Sequence, residues 1–331
     1  MRIGIIGAGI AGLSAGRALQ AAGIDSVVFD KGRGPGGRMV SKRTEYGAID
    51  LGAQYFTARD GEFRSAVDEW QSAGVVAPWP VSPLVLPERQ PARPETRLVA
   101  VPRMSALARH LADGLDVQSG VQVSEITREL SGWVLNGRHG ESLGEFDALL
   151  LTAPAPQTQS LLAEPCPRLA ARAAASRMQP CWSVGLVLER PLDVDFDAGF
   201  PSSGPLGWVA RSGSRPDRPH LPEIWTLHAT AAWSEANIEW SPEAVGEYLS
   251  TAFAELIRKT PSVTARIAHR WRFARARGAL AESVGYLEHE DVLCAGDWVT
   301  DGRIEGAWRS GRAAARRLVN RLMERSGQGG E

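Results

Sequence analysis

The chain has 331 residues, 37 Lys plus Arg against 38 Asp plus Glu, a formal net charge of -1, and 44% hydrophobic residues. That is enough chain for two domains or one large composite one, with ordinary core-forming composition. The near-neutral balance gives no electrostatic footing for nucleic acid or an anionic membrane surface, so neither is expected as a partner.

Cys166, Cys181 and Cys294 form an odd, widely spaced set that offers neither a metal-ligand pair nor a disulfide framework, and no metal site is expected. The apolar stretch after Met1 is broken at once by glycine, and no run approaches the ~18 apolar residues of a membrane helix. A soluble, cytoplasmic protein is expected.

Arg2 to Ile6 reads as a short central parallel strand. It leads into Gly7-Ala8-Gly9-Ile10-Ala11-Gly12, a helix pattern from Leu13 to Ala22 stopped by Gly23, and a second apolar run, Ser26 to Phe29, ending at Asp30. Strand, glycine turn, helix, strand and acid in that order form a dinucleotide-binding pattern. Gly7 makes the turn, Gly9 lets backbone approach a pyrophosphate, and Gly12 lets helix and strand pack closely. Backbone N–H groups around Ala11 face the phosphates, and Asp30 can accept from a ribose, which disfavours a 2′-phosphorylated nucleotide.

The motif leaves NAD and FAD open, and the next segment favours FAD. Lys31-Gly32-Arg33-Gly34-Pro35-Gly36-Gly37-Arg38 is a second glycine-rich loop. It supplies a longer cofactor with further backbone donors, and Arg38 can reach a phosphate or ribityl oxygen. In Gly52-Ala53-Gln54-Tyr55-Phe56-Thr57 small residues permit close approach, and the two aromatics either pack on a flat ring or fill the core.

The proline-rich stretch 77–96 predicts an extended crossover with no regular element, and 190–222 predicts loops between strands. Strands are expected at Val121–Ile126, Leu149–Leu151, Trp182–Leu188, Glu223–His228 and Val292–Ala295, and a helix at Pro242–Lys259 with Ser241 as its N-cap. Trp182, Trp208, Trp225, Trp233 and Trp240 form an aromatic cluster suited to core packing or to a wall facing a ring. His228 and His269 suit core or rim positions better than acid–base roles.

Gly7 to Gly12, Asp30, Gly34 to Met39 and Gly52 to Phe56 resemble the flavin-binding half of the amine-oxidase-like FAD superfamily. The closing stretch Gly296 to Leu318 resembles that superfamily's C-terminal FAD motif, and Asp50 to Thr57 combined with Cys294 to Trp298, Gly302 to Trp308 and Ser310-Gly311 is similar to its renalase branch. The resemblance spans the chain and is weakest between about Ala155 and Arg266. It implies an α/β fold with a Rossmann-type FAD-binding domain (1–76, 97–156, 266–325), an inserted α+β substrate domain (77–96, 157–265) and a flexible tail (326–331).

The resemblance also implies non-covalent FAD held by Gly7, Gly9, Ala11, Gly12, Asp30, Lys31, Gly37, Arg38, Gln54, Tyr55, Phe56, Thr57, Val123, Asp297 and Ile304. Val123 would meet the adenine by its backbone. Asp297 would bond the ribityl or pyrophosphate side, unless it only caps a turn. The helix near Ile304 would aim its N-terminus at the flavin pyrimidine edge, where a peptide dipole steadies the charge left by reduction. Tyr55, Thr57, Trp271 and Arg303 are the implied substrate pocket, although a surface role for Arg303 fits as well.

No catalytic side chain is assigned, because flavin N5 is the reacting centre. The implied reaction oxidises wrongly reduced nicotinamide dinucleotides, the 2- and 6-dihydro isomers of NAD(P)H, by hydride transfer to FAD. Reoxidation by O2 gives H2O2 and β-NAD(P)+. Lys31, Lys42 and Lys259 are the only lysines and none has a natural path to N5, which counts against lysine-assisted amine oxidation. A flavin amine oxidase or other small-molecule FAD oxidoreductase, and a non-catalytic flavoprotein, stay open as alternatives.

Overall fold

The computed structural model describes residues 1–278, 280, 282 and 284–327. The chain divides into two compact units. The first holds Met1–Gly37, Ala108–Met178 and Ala276–Glu331, the second Arg38–Leu107 and Gln179–Arg275. Segments 38–76 and 97–107, expected with the cofactor domain, thus group by packing with the second unit.

The first unit is built on a six-stranded sheet in the order Leu287–His289, Val292–Cys294, Ala148–Leu151, Arg2–Ile6, Asp25–Asp30, Asp116–Ser119. All neighbours run parallel except Leu287–His289, which pairs antiparallel with Val292–Cys294. Parallel strands are covered on both faces, so they carry continuous apolar runs. Ala148–Leu151 is buried at every position.

The helix Ile10–Ala21 begins a turn earlier than the apolar spacing predicts, because Gly9 takes the N-cap position and its carbonyl accepts from Leu13 N at 3.0 Å. The long closing helix Ile304–Gly327 lies against it. Ser14 Oγ donates to the Trp308 carbonyl at 3.0 Å, and a side chain at Gly311 would strike the Ala11 carbonyl. That helix continues through Gly327, so residues 326 and 327 are not tail, and residues 328–331 lie outside those described. A three-stranded antiparallel sheet, Val123–Arg128, Trp133–Gly137 and Ser142–Phe146, adds Trp133 and Phe146 to a core shared with Leu149, Leu151 and Trp298.

The second unit centres on a seven-stranded sheet in the order Val263–Arg277, Arg177–Leu188, Ile224–Ala229, Leu206–Arg211, Ala198–Pro201, Leu84–Leu86, Gln90–Pro91. Side chains alternate between its faces. Val184, Leu186, Trp225 and Leu227 meet Val245, Leu249 and Phe253 of the helix Pro242–Ile257. Ser241 caps that helix by accepting from Ala244 N. On the opposite face Val187 and Ile224 pack with Ile49 and Leu51.

The crossover predicted at 77–96 is more regular than its prolines suggest. Val76–Trp79 pairs antiparallel with Arg97–Ala100, and Leu84–Leu86 pairs parallel with Ala198–Pro201 to extend the large sheet. Pro78 and Pro91 survive there because they stand in edge strands, where a missing N–H breaks no ladder, and Leu84–Leu86, which has a neighbour on each side, holds no proline. Two strands, Ala198–Pro201 and Leu206–Arg211, emerge from the Pro- and Gly-rich stretch 190–222, whose prolines stand at the last position of a strand (Pro201) or in the connections.

Candidate functional site

In the first unit each glycine of the opening turn meets a distinct steric demand. Gly7 has φ +115°, a backbone state that side chains resist. A Cβ at Gly12 would collide with the Gly7 carbonyl and stand 2.8 Å from Thr152 Oγ1. A Cβ at Gly9 would meet no protein atom within 4 Å. Gly9 therefore relieves no internal clash, unlike Gly12. An open backbone at the N-cap of a buried helix is the cradle a phosphate needs.

The second glycine loop packs directly on the first. Gly36 N donates to the Ala8 carbonyl at 2.8 Å, and a side chain at Gly37 would approach Gly9 Cα at 3.4 Å. Asp30 binds both loops. One carboxylate oxygen accepts from Ala8 N at 2.7 Å and the other from Gly32 N at 2.7 Å. Each oxygen keeps a lone pair for a further donor. Lys31 beside it is exposed, and Val123 is buried in its strand with a register shift just after it.

Near the other terminus the strand Val292–Cys294 delivers Gly296, which has φ +146°, and then Asp297, a carboxylate residue only 5% exposed. The Asp297 carbonyl closes the turn by accepting from Gly302 N at 2.9 Å. Asp301 Oδ1 accepts from Arg303 N, capping the helix that begins at Ile304. Burial, then the neighbouring Glu305 charge, raises the Asp301 carboxyl above its usual range. Small residues at Gly306 and Ala307 are explained in part by this turn, because Asp301 and Thr300 fold over Gly306. Arg303 is exposed.

In the second unit the stretch 49–57 lies on the sheet face opposite the helix Pro242–Ile257, and its residues divide sharply. Phe56 is 4% exposed, with its ring 6.0 Å from that of Phe63 and both backbone groups bonded to Leu98. It is therefore a core residue and presents no ring face to a ligand. Tyr55 joins an aromatic group with Trp208 at 5.4 Å and Trp79 at 6.4 Å, under the Arg97 guanidinium at 5.1 Å. Burial pushes its phenol up despite the Arg97 hydrogen bond. Thr57 is partly exposed beside it.

Gln54 spends both ends of its amide on protein. Nε2 donates to the Asp50 and Gly52 carbonyls, and Oε1 accepts from Arg215 Nη2 at 2.6 Å. Arg38 Nη1 donates to the Ala274 carbonyl at 3.1 Å, and Trp271 Nε1 to the Leu51 carbonyl at 2.9 Å. The His269 ring sits 4.3 Å from that of Trp271, its pKa lowered by burial and then by the Lys42 charge.

Sequence reasoning missed a buried polar cluster in this unit. Asp50 pairs with Arg218 at 2.6 Å, and Arg215 stacks on Trp79 at 4.5 Å. Arg215 and Arg218 lie in a Pro- and Gly-rich stretch, Ser212 to Pro222, whose composition reads as loop. The clustering of three arginines within Arg211 to Arg218 was the available sign of a guanidinium site. Among the described residues there is no group of three or more His, Cys, Asp or Glu placed to hold a metal ion. No described helix is long and apolar enough to cross a membrane.

The model of flavin containing amine oxidoreductases matches residues 74–319, and that of an NAD(P)-binding Rossmann-like domain matches residues 5–70. Among solved structures, a candidate protoporphyrinogen oxidase from Exiguobacterium sp. 255-15 aligns with a TM-score of 0.75 at 13% identity, over 97% of this chain and 99% of that chain. A putrescine oxidase redesigned at its cofactor site aligns with a TM-score of 0.74 at 14% identity, over 97% and 99%. Identities this low establish a common fold and nothing finer.

Proposed function

The chain belongs to the flavin containing amine oxidoreductase family, and from that premise we propose that it is an FAD-dependent oxidase of 2- and 6-dihydro isomers of NAD(P)H. Its place in the family makes it a flavin-dependent oxidoreductase acting on a small molecule. The identity of the flavin as non-covalent FAD, and of the substrate, are the finer steps.

The observation that carries the cofactor is the turn Gly7 to Gly12, where Gly9 alone faces open space while Gly7 and Gly12 serve the fold. These glycines, Ala11, Asp30, Lys31, Gly37 and Val123 would hold the dinucleotide half, and Asp297 and Ile304 the flavin half. Arg38, Gln54, Tyr55 and Thr57 are the proposed further contacts, with Trp271 and Arg303 on the substrate side. The cofactor domain is proposed as 1–76, 97–156 and 266–325, the remainder to 265 as the substrate domain.

When bound, FAD supplies a two-electron acceptor for hydride and passes the electrons to O2, giving H2O2. The protein's part is to bind, orient and exclude water. Reading the substrate as a dihydronicotinamide is supported by the poverty of acid–base groups. All three lysines are exposed, and Lys259 is held by Asp193 at 3.0 Å. His228 is kept neutral by burial, its pKa lowered to about 4. Hydride transfer needs no proton shuttle, whereas lysine-assisted amine oxidation lacks its lysine.

The test is anaerobic mixing of the purified yellow protein with 2-dihydro-, 6-dihydro- and ordinary 4-dihydro-NAD, and with a panel of amines. Rapid bleaching by the 2- or 6-dihydro isomer is expected. Bleaching by amines alone, or by the ordinary form alone, gives the reaction to another substrate. No bleaching by any of them overturns the dihydronicotinamide reading and leaves an oxidoreductase of another small molecule or a non-catalytic flavoprotein.

A further inference from the structure

Within the second unit several buried polar atoms have no protein partner among the described residues: Arg215 Nε and Nη1, and, in a row that meets Arg215 through Trp79, Trp208 Nε1, His228 Nε2 and Ser183 Oγ. Strand register explains the grouping. His228 stands opposite Ser183 on one side and opposite Trp208 on the other, so the three side chains form a row across one face of the sheet. Trp208 packs 6.2 Å from Trp79, and the Arg215 guanidinium lies 4.5 Å over the Trp79 ring. Ser183 is 0%, Arg215 2% and Trp208 6% exposed.

The chemistry of these groups restricts what can satisfy them. Guanidinium and indole N–H groups only donate, so their missing partner is an acceptor. The charge is unbalanced as well. Arg215 and Arg218 share the Asp50 carboxylate, which bonds Arg218 directly, while Gln54 gives Arg215 only a neutral acceptor. Arg97, the remaining cation on this aromatic group, pairs with Glu95. The Arg215 field also adds to the burial that keeps His228 uncharged. A buried guanidinium with two unpartnered donor atoms and no carboxylate of its own lacks both acceptors and a counter-charge, and an anion supplies both at once.

We propose that Arg215, with Trp208 beside it across Trp79, is a receptor for an oxyanion, a carboxylate or phosphate carried by an organic ligand with a flat apolar portion. Arg215 Nε or Nη1, paired with the second N–H of Nη2, matches both oxyanions in bidentate geometry. The Tyr55, Trp79 and Trp208 rings give the flat portion a surface of matching character. This assignment does not depend on the dihydronicotinamide reading, because the anion class follows from these residues alone.

The test titrates the purified, flavin-loaded full-length protein with benzoate, inorganic pyrophosphate and the neutral isostere benzamide at constant ionic strength, reading heat and tryptophan fluorescence. At least one anion is expected to bind roughly tenfold or more tighter than benzamide. Arg215→Met is expected to weaken that anion by about tenfold or more and to leave benzamide within about twofold. Benzoate alone binding makes the ligand a carboxylate; pyrophosphate alone makes it a phosphate. Equal binding of benzoate and benzamide, no binding of either anion, or undiminished anion affinity in Arg215→Met overturns the proposal. So does loss of flavin from Arg215→Met while the parent ignores both anions, because the guanidinium then serves the cofactor. If Arg215→Met does not fold, Arg215→Lys keeps the charge without the fork, and undiminished anion affinity in that variant overturns the proposal equally.

Discussion

Asp50 and Arg218 form an ion pair of 2.6 Å in which both side chains are only 2% exposed. The same carboxylate accepts from Ser41 Oγ and from Met104 N at 3.1 Å, while Arg218 Nη2 also reaches the Ala100 carbonyl. One buried charge thus ties together segments near residues 41, 50, 104 and 218. Removing it leaves a guanidinium in a dry site without its counter-charge. Asp50→Asn is expected to cost about 3–5 kcal/mol of stability, read from the urea midpoint at unchanged slope. A loss below about 1 kcal/mol would mean that water reaches Arg218 and the pair is peripheral.

The opening glycine turn offers a cleaner contrast, because adjacent motif positions fail for different reasons. Gly12→Ala drives a methyl into the Gly7 carbonyl and is expected to destabilise the protein by about 1–3 kcal/mol and to release flavin. Gly9→Ala meets nothing within 4 Å. It is expected to leave the apoprotein's melting temperature within about 2 °C while flavin affinity falls roughly tenfold or more. Paired thermal melts of apoprotein and flavin titrations separate the two. Equal flavin affinity in Gly9→Ala would remove the phosphate from that position.

Those glycines were legible in sequence because a fixed spacing and a fixed steric role coincide there. The parallel strands were legible for a similar reason: burial on both faces forces the continuous apolar runs Arg2–Ile6 and Ala148–Leu151. What stayed hidden depends on register between distant strands. Nothing near Trp208 in sequence announces that it stands beside His228, and nothing near Arg218 announces Asp50. The strands inside 77–96 were obscured by prolines that are harmless only at a sheet edge. Phe56 and Tyr55, adjacent in sequence, alternate in direction, and only the fold reveals which one the core takes.

His228 predicts how stability depends on pH. Its ring hydrogen-bonds the Leu51 carbonyl, yet burial lowers its pKa to about 4. In the unfolded chain a histidine titrates near 6.5, so between about pH 6.5 and 4 the unfolded state holds more protons. Stability is therefore full above that window and is lost as the pH falls through it, by roughly 3 kcal/mol once the ring is charged. Carboxylates add their own acid dependence, so the informative quantity is a difference. His228→Asn should show a shallower fall in melting temperature from pH 7 to 4 than the parent; parallel curves would mean that the ring is hydrated and titrates normally.

The cysteines are expected to be inert. Burial pushes the Cys166 thiol up to about 11 and the Cys181 thiol up to about 12, and raises Cys294 further in the same direction. The attacking species is the thiolate, which is scarce at pH 8 under those conditions. Iodoacetamide at pH 8 should leave the native protein unlabelled over a time in which urea-unfolded protein takes up three equivalents, one for each of the free cysteines. Rapid labelling of one native cysteine would expose a thiolate that this packing does not allow, and would reopen thiol chemistry.

Trp271 is the residue at which structural and substrate roles can be told apart most directly. Its Nε1 donates to the Leu51 carbonyl at 2.9 Å, and its ring edge lies 3.2 Å from where a Gly52 side chain would begin. Trp271→Phe deletes the donor and keeps a ring. Because His228 also bonds the Leu51 carbonyl, that oxygen is not left unpaired, and the expected loss is about 1 kcal/mol. Trp271→Ala removes the ring and is expected to cost more, about 2–4 kcal/mol. If the ring also faces the substrate, KM stays within about threefold for the phenylalanine variant and rises about tenfold or more for alanine. If the ring is only packing, both variants lower the melting temperature in that order while KM stays fixed, and the substrate contact has to be sought elsewhere in the second unit.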